Sequence, residues 1–234
     1  MNRLLLISNS TQYGEGFLEH CAKEIIDFLG KDIKTVLFIP YASGDLDNYS
    51  IKVRHKFTEL GYRLDSIHDF ENKIEAIKNT DAIFTGGGNT FRLLKKLYEF
   101  KLIEHIVEKI RSGTPYIGTS AGSNIACPTI KTTNDMPITY PPSFDSLNLV
   151  PFNINPHYID IHPEQHMGET RQQRIKEFHE LNDQIVVGLR EGTMLRIENN
   201  TVILKGINNV TILRKDGSID DFHPNSKLDF LLKT

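Results

Sequence analysis

The chain has 234 residues, of which 39% are hydrophobic and 24% are charged, a balance that predicts a folded protein with one substantial core. Its formal net charge is −3 and it has no run of lysine and arginine, which argues against nucleic acid as a partner. No apolar stretch approaches the roughly 20 residues of a membrane-spanning helix, so neither a membrane anchor nor a signal peptide is expected.

Length and cysteine content narrow the class of protein further. A chain of this length predicts one α/β domain over residues 1–234. Its two cysteines, Cys21 and Cys127, are not expected to form a disulfide, because no secretion signal precedes them. We therefore expect a cytoplasmic protein, and the sequence leaves open whether it forms a homodimer.

The first half of the chain alternates short apolar runs with amphipathic stretches of helical spacing. The predicted strands are Leu4–Ile7, Thr35–Ile39, Tyr62–Ile67, Ala82–Thr85 and Pro115–Gly118. The predicted helices are Phe17–Leu29, Asn48–Leu60, Ile74–Lys78, Phe91–Tyr98 and Leu102–Arg111. This alternation predicts an α/β fold with a mostly parallel, twisted sheet and helices on both faces, in which the loops after the strands meet at one edge.

The second half of the chain is less regular. Cys127–Asn155 is rich in proline, threonine and asparagine and predicts an extended, irregular segment, and a helix is predicted over Thr170–Leu181. Hairpin turns at Asn199-Asn200 and Asp216-Gly217 indicate short antiparallel strands in this part of the chain. These predicted strands are Gln184–Leu189, Met194–Ile197, Val202–Leu204 and Val210–Leu213.

A candidate nucleophile lies directly after the fifth predicted strand. Residues Gly118–Gly122 match the pattern G-x-S-x-G, with Ser120 at its centre and a short helix expected after it. The flanking glycines allow a sharp turn that raises the serine hydroxyl above the sheet, and the N–H of Ala121 can then face a developing oxyanion. The alternative interpretation is an ordinary turn between a strand and a helix.

A serine nucleophile needs a base, and nine histidines are candidates. His157 is preferred because Pro156, with its fixed φ, precedes it and would hold the imidazole in one place. The base in turn needs a carboxylate that orients it and stabilises its cation. Asp135, in the irregular segment, and Glu191, at the end of a predicted strand, are the two candidates, and their spacing does not choose between them.

A metal site is the competing interpretation of the histidines. His162 and His166 are four residues apart and, together with His157, would supply zinc ligands if they shared a helical face. No glutamate is placed as in H-E-x-x-H and no cysteine lies nearby, so we expect neither a metal nor another cofactor.

Three consecutive glycines, Gly86 to Gly88, follow the fourth predicted strand. Neither phosphate-binding pattern, G-x-G-x-x-G or G-x-x-x-x-G-K-[ST], is satisfied there. A second oxyanion donor, from the N–H of Gly87 or Gly88, fits the segment better, and Asn89 or Thr90 can cap the helix that follows.

Taken together, these segments resemble the peptidase E family of α-aspartyl dipeptidases, in the serine peptidase group that includes cyanophycinase. The resemblance runs almost from end to end of the chain, and its matching segments occur in one order. They are Leu5–Thr11, Phe38-Ile39-Pro40, Gly86–Phe91, Tyr116–Gly122, Ala126–Pro137, Asn153–His157 and Gly168–Ile175.

The resemblance implies a fold akin to class I glutamine amidotransferases and metal-free cleavage of dipeptides that begin with aspartate. It implies Ser120 as the nucleophile and His157 as the base, with a carboxylate at Asp135 or Glu191, of which Glu191 is preferred as the direct partner. The N–H groups of Ala121 and Gly88 are then the expected oxyanion donors.

Selection of a short acidic side chain needs a fixed cation, and Arg171 is the candidate because a guanidinium grips a carboxylate through two hydrogen bonds. Asn89, Thr90 and Asp135 are candidates for the other polar groups of the peptide, including its free amine. The remaining alternatives are a cyanophycinase-like hydrolase of β-aspartyl peptides, a metallohydrolase and a non-enzymatic small-molecule binding module.

Overall fold

The computed structural model describes residues 2–160 and 168–233 of the chain. The strands of this part are β1 (Leu4–Ile7), β2 (Thr35–Ile39), β3 (Arg63–Ser66), β4 (Ala82–Thr85), β5 (Tyr116–Thr119), β6 (Asn153–Pro156), β7 (Val186–Leu189), β8 (Thr193–Glu198), β9 (Thr201–Gly206), β10 (Val210–Leu213) and β11 (Ile219–Phe222). The α-helices are α1 (Ala22–Leu29), α2 (Leu46–Glu59), α3 (Lys73–Asn79), α4 (Thr90–Glu99), α5 (Ile103–Arg111), α6 (Ala121–Asn124) and α7 (Arg171–Leu181). Short 3-10 helices span Ile67–Asp69 and Asp229–Leu232.

The larger sheet has seven strands in the order β3-β2-β4-β5-β1-β8-β9. The first five are parallel to one another, and β8 and β9 are added in antiparallel orientation next to β1. The prediction of a mostly parallel α/β sheet with antiparallel strands from the C-terminal part is therefore confirmed. The central strands β4, β5 and β1 are neighbours, so the loops that follow them lie side by side.

Side chains of β1 alternate between two apolar layers, one on each face of this sheet. Leu5 and Ile7 pack in the layer that receives the buried faces of α1 and α2. Leu4 and Leu6 pack in the opposite layer, with α3, α4 and α5 and with residues of β7 and β10. Burial on both faces explains why β1, β2, β4 and β5 are mainly apolar, whereas the edge strand β3 is not.

The smaller sheet has four strands in the order β11-β10-β7-β6. In it β6 and β7 are parallel and are connected through α7, while β10 and β11 are antiparallel. This second sheet was not predicted, and β6 lies inside the segment that was predicted to be irregular. Its sequence, Asn-Ile-Asn-Pro, lacks the β-branched alternation of a strand, and tertiary hydrogen bonds from Asn153 and Asn155 to residues 129–134 hold it in place.

The helix predicted from Phe17 begins only at Ala22. Leu18 has a φ of 56°, which is incompatible with a right-handed helix, and its N–H donates to the carbonyl of Ser10 instead. Within the described residues, no helix has the length and apolar character needed to cross a membrane.

Candidate active site

Ser120 occupies a strained turn between β5 and α6. Its backbone has φ 52° and ψ −109°, a conformation that residues with a side chain rarely adopt. The turn is held by a hydrogen bond of 3.0 Å from the Ser120 N–H to the carbonyl of Ile7, the last residue of β1. Strain of this kind is typical of the elbow that presents a nucleophile at the edge of a sheet.

The glycines on either side of Ser120 are required by close packing. A Cβ atom at Gly118 would lie 2.5 Å from the carbonyl oxygen of Gly122, and one at Gly122 would overlap the carbonyl oxygen of Thr85 in β4. The elbow therefore presses directly against the neighbouring strand, and no residue with a Cβ fits at either position without a shift of the backbone.

His157 follows β6 and reaches across to Ser120 from the smaller sheet. Its Nε2 lies 2.9 Å from the Ser120 Oγ, and its Nδ1 lies 2.7 Å from Glu191 Oε1. A carboxylate only accepts hydrogen bonds, so in a neutral imidazole Nδ1–H donates to Glu191 and Nε2 accepts from the serine hydroxyl. In this tautomer the imidazole is ready to take the serine proton.

The structure separates the two candidate carboxylates. Glu191 lies between β7 and β8 and contacts His157, whereas Asp135 lies against the start of α4. There the Asp135 Oδ2 accepts hydrogen bonds of 2.7 Å and 2.6 Å from the N–H and the hydroxyl of Thr90. The geometry does not support the hypothesis that Asp135 orients the imidazole, because its carboxylate accepts hydrogen bonds from Thr90 at the start of α4.

Asn89 and Thr90 also make internal contacts. Asn89 caps α4 by accepting from the Arg92 N–H at 3.0 Å, and its amide donates to the carbonyl of Met136 at 2.8 Å. Thr90 is 1% exposed and donates to Asp135 as described above. Both residues therefore hold the segment around Asp135 against the start of α4 by hydrogen bonds. Because Thr90 is buried, its side chain has no exposed surface that a ligand could contact.

The glycine loop after β4 lies beside Ser120. A Cβ atom at Gly87 would be 3.1 Å from the Ser120 Cβ, so the backbone of this loop abuts the serine. Gly88 has φ 133°, and a Cβ there would be 2.5 Å from the carbonyl oxygen of Ala42. The loop that follows β4 thus brings the backbone of Gly87 next to Ser120, and β4 is the neighbour of β5, after which Ser120 and Ala121 lie.

Arg171 is the first residue of α7 and is partly buried. Because α7 connects β6 to the parallel strand β7, it begins on the side where β6 ends at His157. Burial, and secondly the nearby Arg174, lower the pKa of the Arg171 guanidinium. Its buried Nε has no hydrogen-bond partner among the described residues.

Two of the histidines considered as zinc ligands lie in a part of the chain that the structure does not describe. His162 and His166 lie outside the described residues. Among residues 2–160 and 168–233, no group of three or more histidine, cysteine, aspartate or glutamate side chains is arranged to hold a metal ion.

Sequence reasoning missed several residues that support the site. Ser8 and Asn9 follow β1 and accept hydrogen bonds from the N–H groups of His157 and Gly192, and Asn134 donates to the carbonyl of Pro156 at 2.6 Å. The available signal was their position: Ser8 and Asn9 directly follow a buried strand whose carboxyl end lies at the predicted ligand edge.

Comparison with known proteins adds an independent line of evidence. Residues 4–205 match the model of peptidase family S51. The chain is 50% identical to peptidase E of Nostoc sp. over 234 residues, covering 99% of this chain and 97% of that protein. It is 46% identical to a probable alpha-aspartyl dipeptidase of Drosophila melanogaster over 235 residues, covering 98% of this chain and 97% of that protein.

Solved structures agree with this match. A putative peptidase E protein from Listeria monocytogenes EGD-e has a TM-score of 0.67 and 25% identity, covering 89% of this chain and 100% of that one. A peptidase from an acI-B1 Actinobacterium has the same fold, with a TM-score of 0.74 at 20% identity, covering 97% of this chain and 96% of that one. With a family match over most of its length and full-length relatives at up to 50% identity among those compared, the chain belongs to peptidase family S51.

Proposed function

We propose that this protein is an α-aspartyl dipeptidase that uses Ser120 as nucleophile, His157 as base and Glu191 as the carboxylate that orients the base. The observation that carries the proposal is the unbroken chain of contacts from the Ser120 Oγ through the imidazole to Glu191, at 2.9 Å and 2.7 Å. The full-length relatives named peptidase E and probable alpha-aspartyl dipeptidase support the choice of reaction.

In the proposed reaction, the Ser120 Oγ bonds to the carbonyl carbon of an N-terminal aspartyl residue while its proton passes to the His157 Nε2. The N–H groups of Ala121 and Gly88 stabilise the oxyanion that forms. The carbon–nitrogen bond then breaks as His157 returns the proton to the leaving amine. Water, deprotonated by the same imidazole, hydrolyses the acyl-enzyme and releases aspartate.

Arg171 is the proposed partner of the substrate's β-carboxylate. Arg171 is a partly buried guanidinium at the first position of α7, and its Nε has no hydrogen-bond partner among the described residues, so it has hydrogen-bonding capacity that a carboxylate would satisfy. Asp135 and Asn89 are proposed to bind the peptide's other polar groups, including its amine. We propose that Thr90 acts on the substrate only by holding Asp135, because its side chain is buried.

A panel of dipeptides tests this function. We expect hydrolysis of α-Asp-Leu, and much slower hydrolysis of Asn-Leu, Glu-Leu, Ala-Leu and β-Asp-Leu, measured by release of leucine. Faster hydrolysis of β-Asp-Leu would favour a cyanophycinase-like enzyme. A protein that binds the peptides but neither hydrolyses them nor is labelled by a fluorophosphonate would favour a non-catalytic binding module. Loss of turnover with a chelator would indicate a metallohydrolase.

We expect Arg171→Lys to raise the KM for Asp-Leu by about tenfold, because an ammonium group cannot reproduce two parallel hydrogen bonds to a carboxylate. Steady-state kinetics measure the effect. Arg174→Lys is the matched control, since Arg174 lies one turn further along α7, is exposed and pairs with Glu169 at 3.5 Å. An unchanged KM in Arg171→Lys would remove Arg171 from the substrate pocket.

The proposed function also carries expectations about substrate, location and domain organisation. We expect small aspartyl peptides as substrates, a cytoplasmic location and one domain over residues 1–234, and we leave the homodimer as an alternative to a monomer. Sedimentation of the purified protein distinguishes the oligomeric states. A single cooperative unfolding transition is the outcome expected of one domain.

A further inference from the structure

Ser8 and Asn9 are buried polar residues at the carboxyl end of β1, and the reaction described above does not use them. They directly follow β1, and their exposed fractions are 0% and 1%. Burial of a polar side chain costs free energy of folding unless its hydrogen bonds are satisfied. The hydrogen-bond partners of Ser8 and Asn9 therefore indicate what these residues do.

The Ser8 hydroxyl joins the end of β7 to the backbone of the base. Its Oγ donates to the carbonyl of Leu189 at 2.7 Å and accepts from the N–H of His157 at 3.0 Å. His157 has a φ of 53°, a strained conformation that its neighbours must maintain. The hydroxyl therefore contacts the residue whose imidazole must stay within reach of Ser120.

Asn9 makes the corresponding contact beside the carboxylate. Its Oδ1 accepts from the N–H of Gly192, the residue after Glu191, at 2.8 Å. Its amide donates to the carbonyl of Thr11 at 2.9 Å, which fixes the orientation of the side chain. The loop that carries Glu191 is thus tied to the same segment as His157.

Three consecutive residues at the end of β1 therefore accept hydrogen bonds from the backbone at or next to each reacting group. The carbonyl of Ile7 accepts from Ser120, the Ser8 hydroxyl accepts from His157, and the Asn9 side chain accepts from Gly192. This arrangement is needed because Ser120 belongs to the larger sheet, whereas His157 follows a strand of the smaller one.

We propose that Ser8 and Asn9 are positioning residues that set the distance and orientation of the His157–Glu191 pair relative to the nucleophile. The proposal rests on the serine mechanism proposed above. It predicts effects on the rate of the chemical step and none on the binding of substrate, because the Ser8 and Asn9 side chains bond to backbone groups and not to the reacting side-chain atoms.

The test compares Ser8→Ala and Asn9→Ala with the wild-type protein in their rates of labelling by a fluorophosphonate, which reports an activated serine whatever the peptide substrate is. We expect each variant to lose at least about tenfold in labelling rate, since displacement of a catalytic group by about 1 Å costs up to 100-fold. In dipeptide hydrolysis, kcat should fall by a similar factor while KM stays within about twofold. Ser8→Thr, which keeps the hydroxyl, should recover most of the rate.

Ser146→Ala is the matched control, because the buried Ser146 hydroxyl also donates to a backbone carbonyl, that of Cys127, at 2.7 Å. It should lower thermal stability and leave the labelling rate unchanged. A proton NMR signal of the His157 Nδ1–H, assigned by its loss in His157→Ala, should shift in Ser8→Ala and not in Ser146→Ala. Should Ser8→Ala fail to fold, Asn9→Ala supplies the same comparison.

Wild-type labelling rates in folded Ser8→Ala or Asn9→Ala, with an unchanged NMR signal, would overturn the proposal. An equal loss of rate in Ser146→Ala would overturn it as well, because general destabilisation would then explain the effect. A wild-type protein that is not labelled at all would contradict the proposed function instead, so the two failures are distinguishable.

Discussion

Ser120→Ala is expected to lower kcat for Asp-Leu by about 10⁴-fold or more. The variant removes the atom that bonds to the substrate, and no other side chain contacts the Nε2 of His157 among the described hydrogen bonds. Residual turnover would come from the oxyanion donors and from substrate binding alone. Leucine release under steady-state conditions measures the loss.

The same variant should abolish fluorophosphonate labelling and leave the affinity for substrate nearly unchanged. Ser112→Ala is the control, because this serine is exposed at the end of α5 and bonds only locally, to the carbonyl of Lys109. Full turnover by a folded Ser120→Ala protein would mean that another group carries the reaction.

Glu191→Gln is expected to lower kcat by about 10³- to 10⁴-fold. A glutamine of the same shape can donate to the His157 Nδ1, which would favour the tautomer whose Nε2 carries a proton and cannot accept one from Ser120. It also removes the negative charge that stabilises the imidazolium formed during attack. Steady-state kinetics with Asp-Leu should therefore show a fall in kcat with little change in KM.

Asp135→Asn is the matched comparison, since it makes the same chemical change in the second candidate carboxylate. It weakens the two hydrogen bonds from Thr90 and so disturbs the rim of the site more than the base. We expect it to raise KM and to lower kcat by less than about tenfold. A larger loss of kcat in Asp135→Asn than in Glu191→Gln would reverse the assignment of the carboxylates.

Most of the parallel half of the fold was predictable because β1, β2, β4 and β5 are buried on both faces and are mainly apolar. The strand β6 was not predictable, because Asn153 and Asn155 pair with a distant segment and no local pattern marks them. The start of α1 was misplaced for a related reason: apolar spacing continues through Phe17 and Leu18, but the backbone there turns into the left-handed region.

The site residues likewise differ in whether a local sequence pattern or a distant contact marks them. Ser120 was marked by a local motif with two sterically required glycines, and His157 by the proline before it. The choice of Glu191 over Asp135 depended on which loops the two sheets bring together, and that is a property of the tertiary structure. The supporting role of Ser8 could not be predicted from the sequence, because its partner, His157, is 149 positions away along the chain.

The division of the reacting groups between two sheets affects the protein while the ribosome is still making it. The nucleophile is completed at residue 120, whereas its carboxylate arrives at residue 191 and the last strand of the smaller sheet only at Ile219–Phe222. Since the N-terminal part of a chain emerges and begins to fold first, Ser120 is made before the segments that carry His157 and Glu191, its proposed partners. The proposed arrangement of Ser120, His157 and Glu191 therefore forms only after the loop between β7 and β8 has been made.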